Sequence, residues 1–263
     1  MRVCNLASGS AGNCTYVEGD KTKILVDCGL TINDLSARLG MLDVTIDDID
    51  AVVISHEHID HIRSLATLSK KYNKKIYAYV DEWQAILAKQ KNVNPTNQMV
   101  FFELPFEIGE IKTTPIKLPH DSHTCFGFSF EQNGKKFSIL TDLGQTNDRI
   151  LSQVAGSVLV YLEANHDEQM LLNNPNYPLS LKRRILSSRG HLSNVASAKA
   201  IEKLSGYGTK QVVLSHLSEK NNTPEVAYNT ICSYLDEHGI KQGENIRIDV
   251  ARQDRPTTIF NLR

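Results

Sequence analysis

The feature that most restricts how this chain can fold is a junction, where Ala51-Val52-Val53-Ile54-Ser55 passes directly into His56-Glu57-His58-Ile59-Asp60-His61. The first part has no polar alternation, so it reads as a strand covered on both faces, inside a layered α/β arrangement. The second part delivers four metal-capable side chains within six residues to the end of that strand. His56 and His58 are two apart and point the same way in an extended stretch. Asp60 and His61 enter the following helix and can turn to a second position. One ion could use the first pair and a neighbouring ion the second, and imidazole plus carboxylate suits zinc, manganese or iron. The plainer alternative is an accidental histidine cluster in a surface loop.

The remaining sequence predicts what surrounds that strand. Met1–Leu6, Cys14–Glu18 and Lys23–Asp27 are β-rich pieces separated by the glycine-rich Ser8–Asn13 and by Gly19-Asp20, as in an antiparallel meander. A helix around Ile32–Leu39, helical spacing over Ile62–Tyr72, a strand at Ile76–Val80 and a helix over Glu82–Lys89 follow, which suggests parallel βαβ pairing. Strands return at Val100–Glu103, Ile111–Leu118, Cys125–Glu131 and Lys136–Leu140, with Asn133-Gly134 as a tight turn that needs positive φ. The last third alternates helix Asp148–Val154, strand Ser157–Glu163, a Pro/Asn-rich helical segment Asp167–Ser188, helix Val195–Leu204, strand Gln211–Leu214 and helix Pro224–His238, with a short strand near the C-terminus. Each half therefore runs strands first and helix–strand pairs later. The expected fold class is α/β (α+β): an αββα sandwich of two mixed sheets flanked by helices, as one domain over residues 1–263.

Further donors sit at other predicted strand ends. His120 follows Ile111–Leu118, Asp142 follows Lys136–Leu140, and His216 follows Gln211–Leu214. Each alone is ordinary loop polarity, whereas His or Asp at four strand ends points to a shared metal site.

Composition closes off other classes. With 29 basic and 30 acidic residues the net charge is −1, which excludes a generally basic nucleic-acid coat and leaves room for a local basic patch. The five cysteines (Cys4, Cys14, Cys28, Cys125, Cys232) are odd in number with no C-x-x-C pair, the pattern of reduced thiols. No stretch approaches the roughly 20 apolar residues that span a bilayer, and the N-terminus lacks a long apolar signal core. A soluble, cytoplasmic protein without membrane contact is expected, and the sequence gives no sign of an obligate protein partner.

The run His56, His58, Asp60, His61 matches the H-x-H-x-D-H motif of the metallo-β-lactamase superfamily, which the chain resembles over essentially its whole length. That resemblance implies a two-metal hydrolase, with divalent zinc, manganese or iron. One ion would be held by His56, His58 and His120, the other by Asp60, His61 and His216, and Asp142 would bridge them. His123 is the alternative to His120, which is preferred because the family places this ligand several residues before a Gly-aromatic pair, here Gly127-Phe128. Asp27 in Leu-Val-Asp-Cys-Gly matches an aspartate that orients the site without binding metal. Ser8-Gly9-Ser10-Ala11-Gly12-Asn13, Glu163-Ala164-Asn165-His166-Asp167, Gly190-His191-Leu192-Ser193-Asn194 and His216-Leu217-Ser218-Glu219-Lys220-Asn221-Asn222 resemble the YycJ/WalJ-like branch. That branch implies a DNA exonuclease acting 5′ to 3′. The Gly190-His191-Leu192-Ser193 stretch is also similar to the ribonuclease Z family, although no long inserted arm accompanies it here.

On this likeness a water activated between two cations attacks the phosphodiester, and His191 protonates the leaving oxygen with Asp60 sharing the proton relay. The structural alternative for His191 is a residue beside a helix cap at Ser193. Asn165 and His166 lie near the ligand end of a strand, as substrate contacts or as supports for the ligands, while Asp167 reads first as a helix cap. The Ser8–Asn13 loop is either a source of backbone N–H groups for phosphate or a plain hairpin loop. Lys182, Arg183, Arg184 and Arg189 form the densest basic run, read either as a solvated helix face or as a phosphate track for DNA. The competing functions are a small-substrate hydrolase of the same fold, for lactones, thioesters or cyclic phosphodiesters, and a non-catalytic metal or redox sensor.

Overall fold

The computed structural model describes residues 1–262. Strands β1 (Arg2–Ala7), β2 (Cys14–Glu18) and β3 (Lys23–Val26) form an antiparallel meander. Strands β4 (Ala51–Val53), β5 (Lys75–Tyr79) and β6 (Gln98–Phe101) extend it in parallel. The second sheet repeats the plan. β7 (Phe106–Ile108), β8 (Ile111–Lys117), β9 (Phe126–Gln132) and β10 (Lys135–Leu140) are antiparallel, and β11 (Leu159–Glu163), β12 (Gln211–Ser215) and β13 (Arg247–Val250) continue in parallel. A last strand, β14 (Phe260–Asn261), lies against β1 and brings the first sheet to seven strands, the number the second already has. The division follows connection length: tight turns can only reverse direction, while parallel returns need a crossover long enough to hold a helix.

Side-chain alternation assembles the layers. Ala51 and Val53 face the inter-sheet core, where Phe126, Phe128, Phe130, Phe137 and Tyr161 of the second sheet meet them, while Val52 and Ile54 face the outer helices. In β11, Leu159 and Tyr161 point inward and Val160 and Leu162 outward. This double burial is why these strands carry no polar alternation. Helix α1 (Ile32–Gly40) covers the first sheet with Leu35 and Leu39, helped by α2 (Ile59–Ile62), α3 (Leu65–Lys70) and α4 (Trp83–Lys89). The second sheet is covered by α5 (Asp148–Gln153), α8 (Asn194–Gly206) and α9 (Pro224–Glu237). Between these lie α6 (Glu168–Asn173) and α7 (Leu179–Ile185), of which α7 buries no residue. No helix among the described residues is long and apolar enough to cross a membrane.

The elements differ from the sequence expectation in three places. The predicted helix Ile62–Tyr72 is broken at Arg63-Ser64, because Cys28 N donates to His61 O and Ser64 N donates to Cys28 O, tying the chain to the loop after β3. The segment Asp167–Ser188 is two short helices parted around Asn174–Pro178. Strand β7, unforeseen, pairs with β8 through a turn in which Gly109 adopts φ 58°.

Candidate metal centre

The site forms where the carboxyl ends of the parallel strands of both sheets meet, the usual position for ligands in open α/β sheets. At the end of β3, Asp27 adopts φ 62°, a left-handed conformation rare for a non-glycine residue. This turns its carboxylate back across β4. Oδ1 accepts from Ser55 N (2.8 Å), and Oδ2 accepts from Ser55 Oγ (2.8 Å) and His61 Nδ1 (2.8 Å). Asp27 thus fixes the start of the His-rich run and the ring of its last histidine. The run is pulled inward by backbone contacts: Asn13 N donates to Asp60 O at 2.8 Å, and a Cβ on Gly29 would lie 1.5 Å from that same oxygen. Only glycine allows this approach.

The second sheet supplies the other wall. Asp142 beyond β10 and His216 after β12 also have positive φ, 62° and 57°. Three such residues at strand ends around one site are strained backbone held in place by their surroundings. His120 follows β8, and its carbonyl accepts from Arg189 Nε at 2.9 Å. Glu163, the last residue of β11, is fully buried. Its Oε1 accepts from His191 Nδ1 (2.8 Å) and His216 Nδ1 (2.7 Å), and its Oε2 from Leu143 N and Leu192 N (both 3.1 Å).

These partners select tautomers. Carboxylates and carbonyls only accept, so Nδ1 carries the proton in His61 (on Asp27), in His216 and His191 (on Glu163) and in His120 (on Gly190 O, 3.2 Å). Nε2 is thereby left to face the site, with Asn13 Nδ2 3.0 Å from it in His61, the arrangement that orients metal-binding histidines. His56 Nε2, His120 Nε2, His216 Nε2 and Asp142 Oδ2 are buried without a hydrogen-bond partner among the described residues. Leaving one buried polar atom unpaired costs about 1–3 kcal/mol, and four of them in one donor cluster is an arrangement suited to cations. The donor chemistry and these orphaned atoms fit divalent metal.

The structure draws together His56, His58 and His120 in one group and Asp60, His61 and His216 in another, the donor atoms of each lying within 4.8 Å of one another. Asp142 reaches both sides, with Oδ2 3.3 Å from His61 Nε2 and Oδ1 3.7 Å from His120 Nε2 and 3.4 Å from His216 Nδ1. Burial holds His56 well below the ordinary imidazole range, and the rings of His61, His58 and His120 add to the effect. Burial likewise lowers His58 and His120. His216 goes the other way: burial opposes its charge, yet Asp142 and Glu163 hold it at about 9. Burial would raise Asp60, but His61 outweighs it and keeps that carboxyl well below the usual range. One side therefore presents neutral imidazoles, while on the other Asp60 is ionised and neighbouring carboxylates, Asp142 first, hold His61 and His216 in the charged form against the effect of burial.

The other residues singled out in the sequence are placed as follows. Most amides of the Ser8–Asn13 loop are engaged by protein acceptors, as a plain hairpin loop would have them: Gly9 N on Asn13 Oδ1, Ala11 N on Gln253 Oε1, Gly12 N on Gly9 O and Asn13 N on Asp60 O. Its contribution is side-chain contact with the donors. Asn13 Nδ2 lies 3.0 Å from His61 Nε2 and 3.3 Å from Asp60 Oδ2, and Ser8 Oγ accepts from His216 N at 2.6 Å. The basic run is not an uncommitted track. Lys182 donates to Leu172 O, Arg184 pairs with Asp121, and Arg189 donates to His120 O and Ser122 O. Arg183 alone is exposed without a polar partner among the described residues. His191 stands beside the cap as well as the donors, since Ser193 Oγ caps α8 by accepting from Ala196 N. Asn165 Nδ2 donates to His216 O, which anchors that ligand's backbone. His166 is buried with both ring nitrogens unpartnered and lies outside every donor group; burial lowers it to about 4, so it is neutral. His123 is exposed while His120 is buried. The sequence reading missed Glu163 and Asn13 as individual residues; a carboxylate closing a wholly apolar strand beside other donor-bearing strand ends was the available signal for the former.

Residues 22–217 match the Beta-lactamase superfamily domain. The chain is 35% identical over 256 residues to the exodeoxyribonuclease YycJ of Bacillus anthracis, covering 97% of this chain and 96% of that one. It is equally 35% identical over 260 residues to the exodeoxyribonuclease WalJ of Streptococcus pneumoniae strain D39, covering 98% and 96%. Among solved structures, the metallo-β-lactamase fold protein YhfI of Bacillus subtilis superposes with a TM-score of 0.73 at 17% identity, covering 99% of this chain and 100% of that one.

Proposed function

The chain belongs to the metallo-β-lactamase superfamily, and on that premise we propose that it is a metal-dependent phosphodiesterase that degrades DNA from a strand end, in the 5′-to-3′ direction, with two divalent ions. The observation that carries the reading is the Asp142 carboxylate between two sets of histidine and aspartate donors with their Nε2 atoms facing the site. The near full-length likeness to two proteins named exodeoxyribonucleases supports DNA as the substrate and the strand end as the place of attack.

His56, His58 and His120 would hold one ion and Asp60, His61 and His216 the other, with Asp142 between them. Bound there, divalent ions supply an activated water at neutral pH and positive charge against the phosphodiester oxygens. The chain's own groups handle the protons. His191 Nδ1–H is held by Glu163 Oε1 at 2.8 Å, so Nε2 is the position that gives a proton to the leaving oxygen. The buried Glu163 charge stabilises the imidazolium before that transfer. Asp60, ionised beside His61, would accept a hydrogen bond from the attacking water and share the proton relay.

The test is purified protein with manganese or zinc on end-labelled linear, nicked and covalently closed circular DNA. Linear and nicked DNA should be shortened from their 5′ ends while the closed circle survives. Cutting of the closed circle would overturn the strand-end reading. Turnover of lactones or thioesters with no loss of DNA would overturn the nuclease reading.

A further inference from the structure

A cavity of about 170 Å³ adjoins the metal centre and shares His120 and His191 with it. Its opposite wall is apolar, made by Tyr177, Leu181 and Ile185 at and before the end of α7. Since α7 buries no residue, its half-buried apolar side chains face this space and not the core. The wall is fixed relative to the site. His191 N donates to Ile185 O at 3.0 Å, and a Cβ on Gly190 would come within 2.1 Å of that oxygen, so glycine permits the close contact. Lys182 ties α7 to Leu172 O, and Arg184 ties it to Asp121.

We infer that this cavity receives the terminal nucleobase of the strand, stacked on Tyr177; the inference rests on the nuclease reading and specifies its substrate contact. Three observations lead there. The cavity is not built for an anion, because the one permanently charged cation lining it, Arg184, is already paired with Asp121, whose carboxylate lies in the same lining. An aromatic ring with two aliphatic neighbours suits a flat π-face, and in DNA the group with such a face next to the scissile phosphate is the base. Asn165 and Ser218 lie on the polar side, where a base edge or sugar needs hydrogen-bonding groups. The volume sets the limit: sites for drug-sized ligands run about 300–1,000 Å³, so about 170 Å³ admits one ring system and the strand ends there. Attack at strand ends then follows from the shape of the wall formed by α7 and Tyr177.

Two oligonucleotides that differ only in a normal or an abasic terminal residue test this, each made with the change at the 5′ or the 3′ end. Stacking of one base is worth roughly a 5- to 100-fold effect, so the wild type should degrade the normal end faster than the abasic end by that factor. Tyr177→Ala should lose the preference while matching the wild type on the abasic end, and Tyr177→Phe should restore it. With metal chelated, a terminal 2-aminopurine should be quenched on binding wild type and Tyr177→Phe but not Tyr177→Ala. Equal rates on both ends, or an unchanged preference in Tyr177→Ala, would overturn the inference and leave the nuclease reading standing. A wild type that degrades neither oligonucleotide would overturn both.

Discussion

A glutamine at position 163 would keep the shape of the side chain but not its capacity, because four donors converge on that carboxylate: two imidazole Nδ1–H groups and two backbone amides. An amide has one accepting oxygen and turns its NH2 toward donors that cannot accept. In Glu163→Gln, His216 loses the partner that sets its tautomer, so metal affinity should fall about 10- to 100-fold, read by competition with a chelator. His191→Ala makes the complementary case. It should lower kcat about 10²–10⁴-fold with metal content unchanged, and loss of bound metal in that variant would place His191 among the ligands. At this scale the sequence was uneven. His56, His58, Asp60 and His61 could be read because one local run carries all four, so spacing alone declared them. Glu163 could not, since a polar residue at the end of Leu-Val-Tyr-Leu-Glu is also what any strand leaving a core looks like. Its significance comes from His191 and His216, 28 and 53 residues away.

Between elements, a buried carboxyl pair fastens the start of α4 to the ligand loops. Glu82 accepts from Thr124 N and Oγ1, before β9, and shares a hydrogen bond with Glu57, inside the His-rich run. Burial, and after it the Glu57 bond, push Glu82 up to about 8, so the folded protein retains a proton that the unfolded chain releases near pH 4.5. Folding is therefore favoured by this group below about pH 4.5 and penalised increasingly up to about pH 8, with no further change above. Glu82→Gln imitates the protonated acid, and denaturant titrations should show it stabilised over the wild type at pH 8 and equal to it near pH 4. A second prediction concerns α7. With Arg184 neutralised by Asp121, Arg183 is the residue of the run free to meet a phosphate, so Arg183→Ala should flatten the dependence of log K on log salt by about 0.9 for duplex DNA. An unchanged slope would make it a solvated side chain. The charge run was visible in the sequence, but the partners that commit two of its members were not: Asp121, His120 and Ser122 lie more than 60 residues from Arg184 and Arg189. The break between α2 and α3 was hidden for the same reason, as Ser64 there is tied by its N and Oγ to Cys28 O, more than 30 residues away.

Across the whole molecule the architecture was the more legible part, because each sheet announces itself by strands without polar alternation and each crossover by a helical period. What sequence periodicity cannot convey is which strand ends meet, and here those of two sheets do. His56, His58, Asp60 and His61 belong to the first sheet; His120, Asp142 and His216 belong to the second. Metal analysis of saturated protein should find about two ions per chain, and Asp142→Ala should lose part of both. Each ion should also stabilise the fold, by about 2.7 kcal/mol when present at 100 times its dissociation constant, so the melting temperature should drop on chelation. The placement of the donors has a further consequence, for what a damaged or half-made chain can do. Neither triad lies within one half: His120 is needed to finish the first and His216 the second, both beyond the short connection after Phe101. A chain stopped there, or cut there, carries two incomplete claws and no centre. The donor set thus works as a coincidence detector for its own assembly, complete only once both sheets have docked.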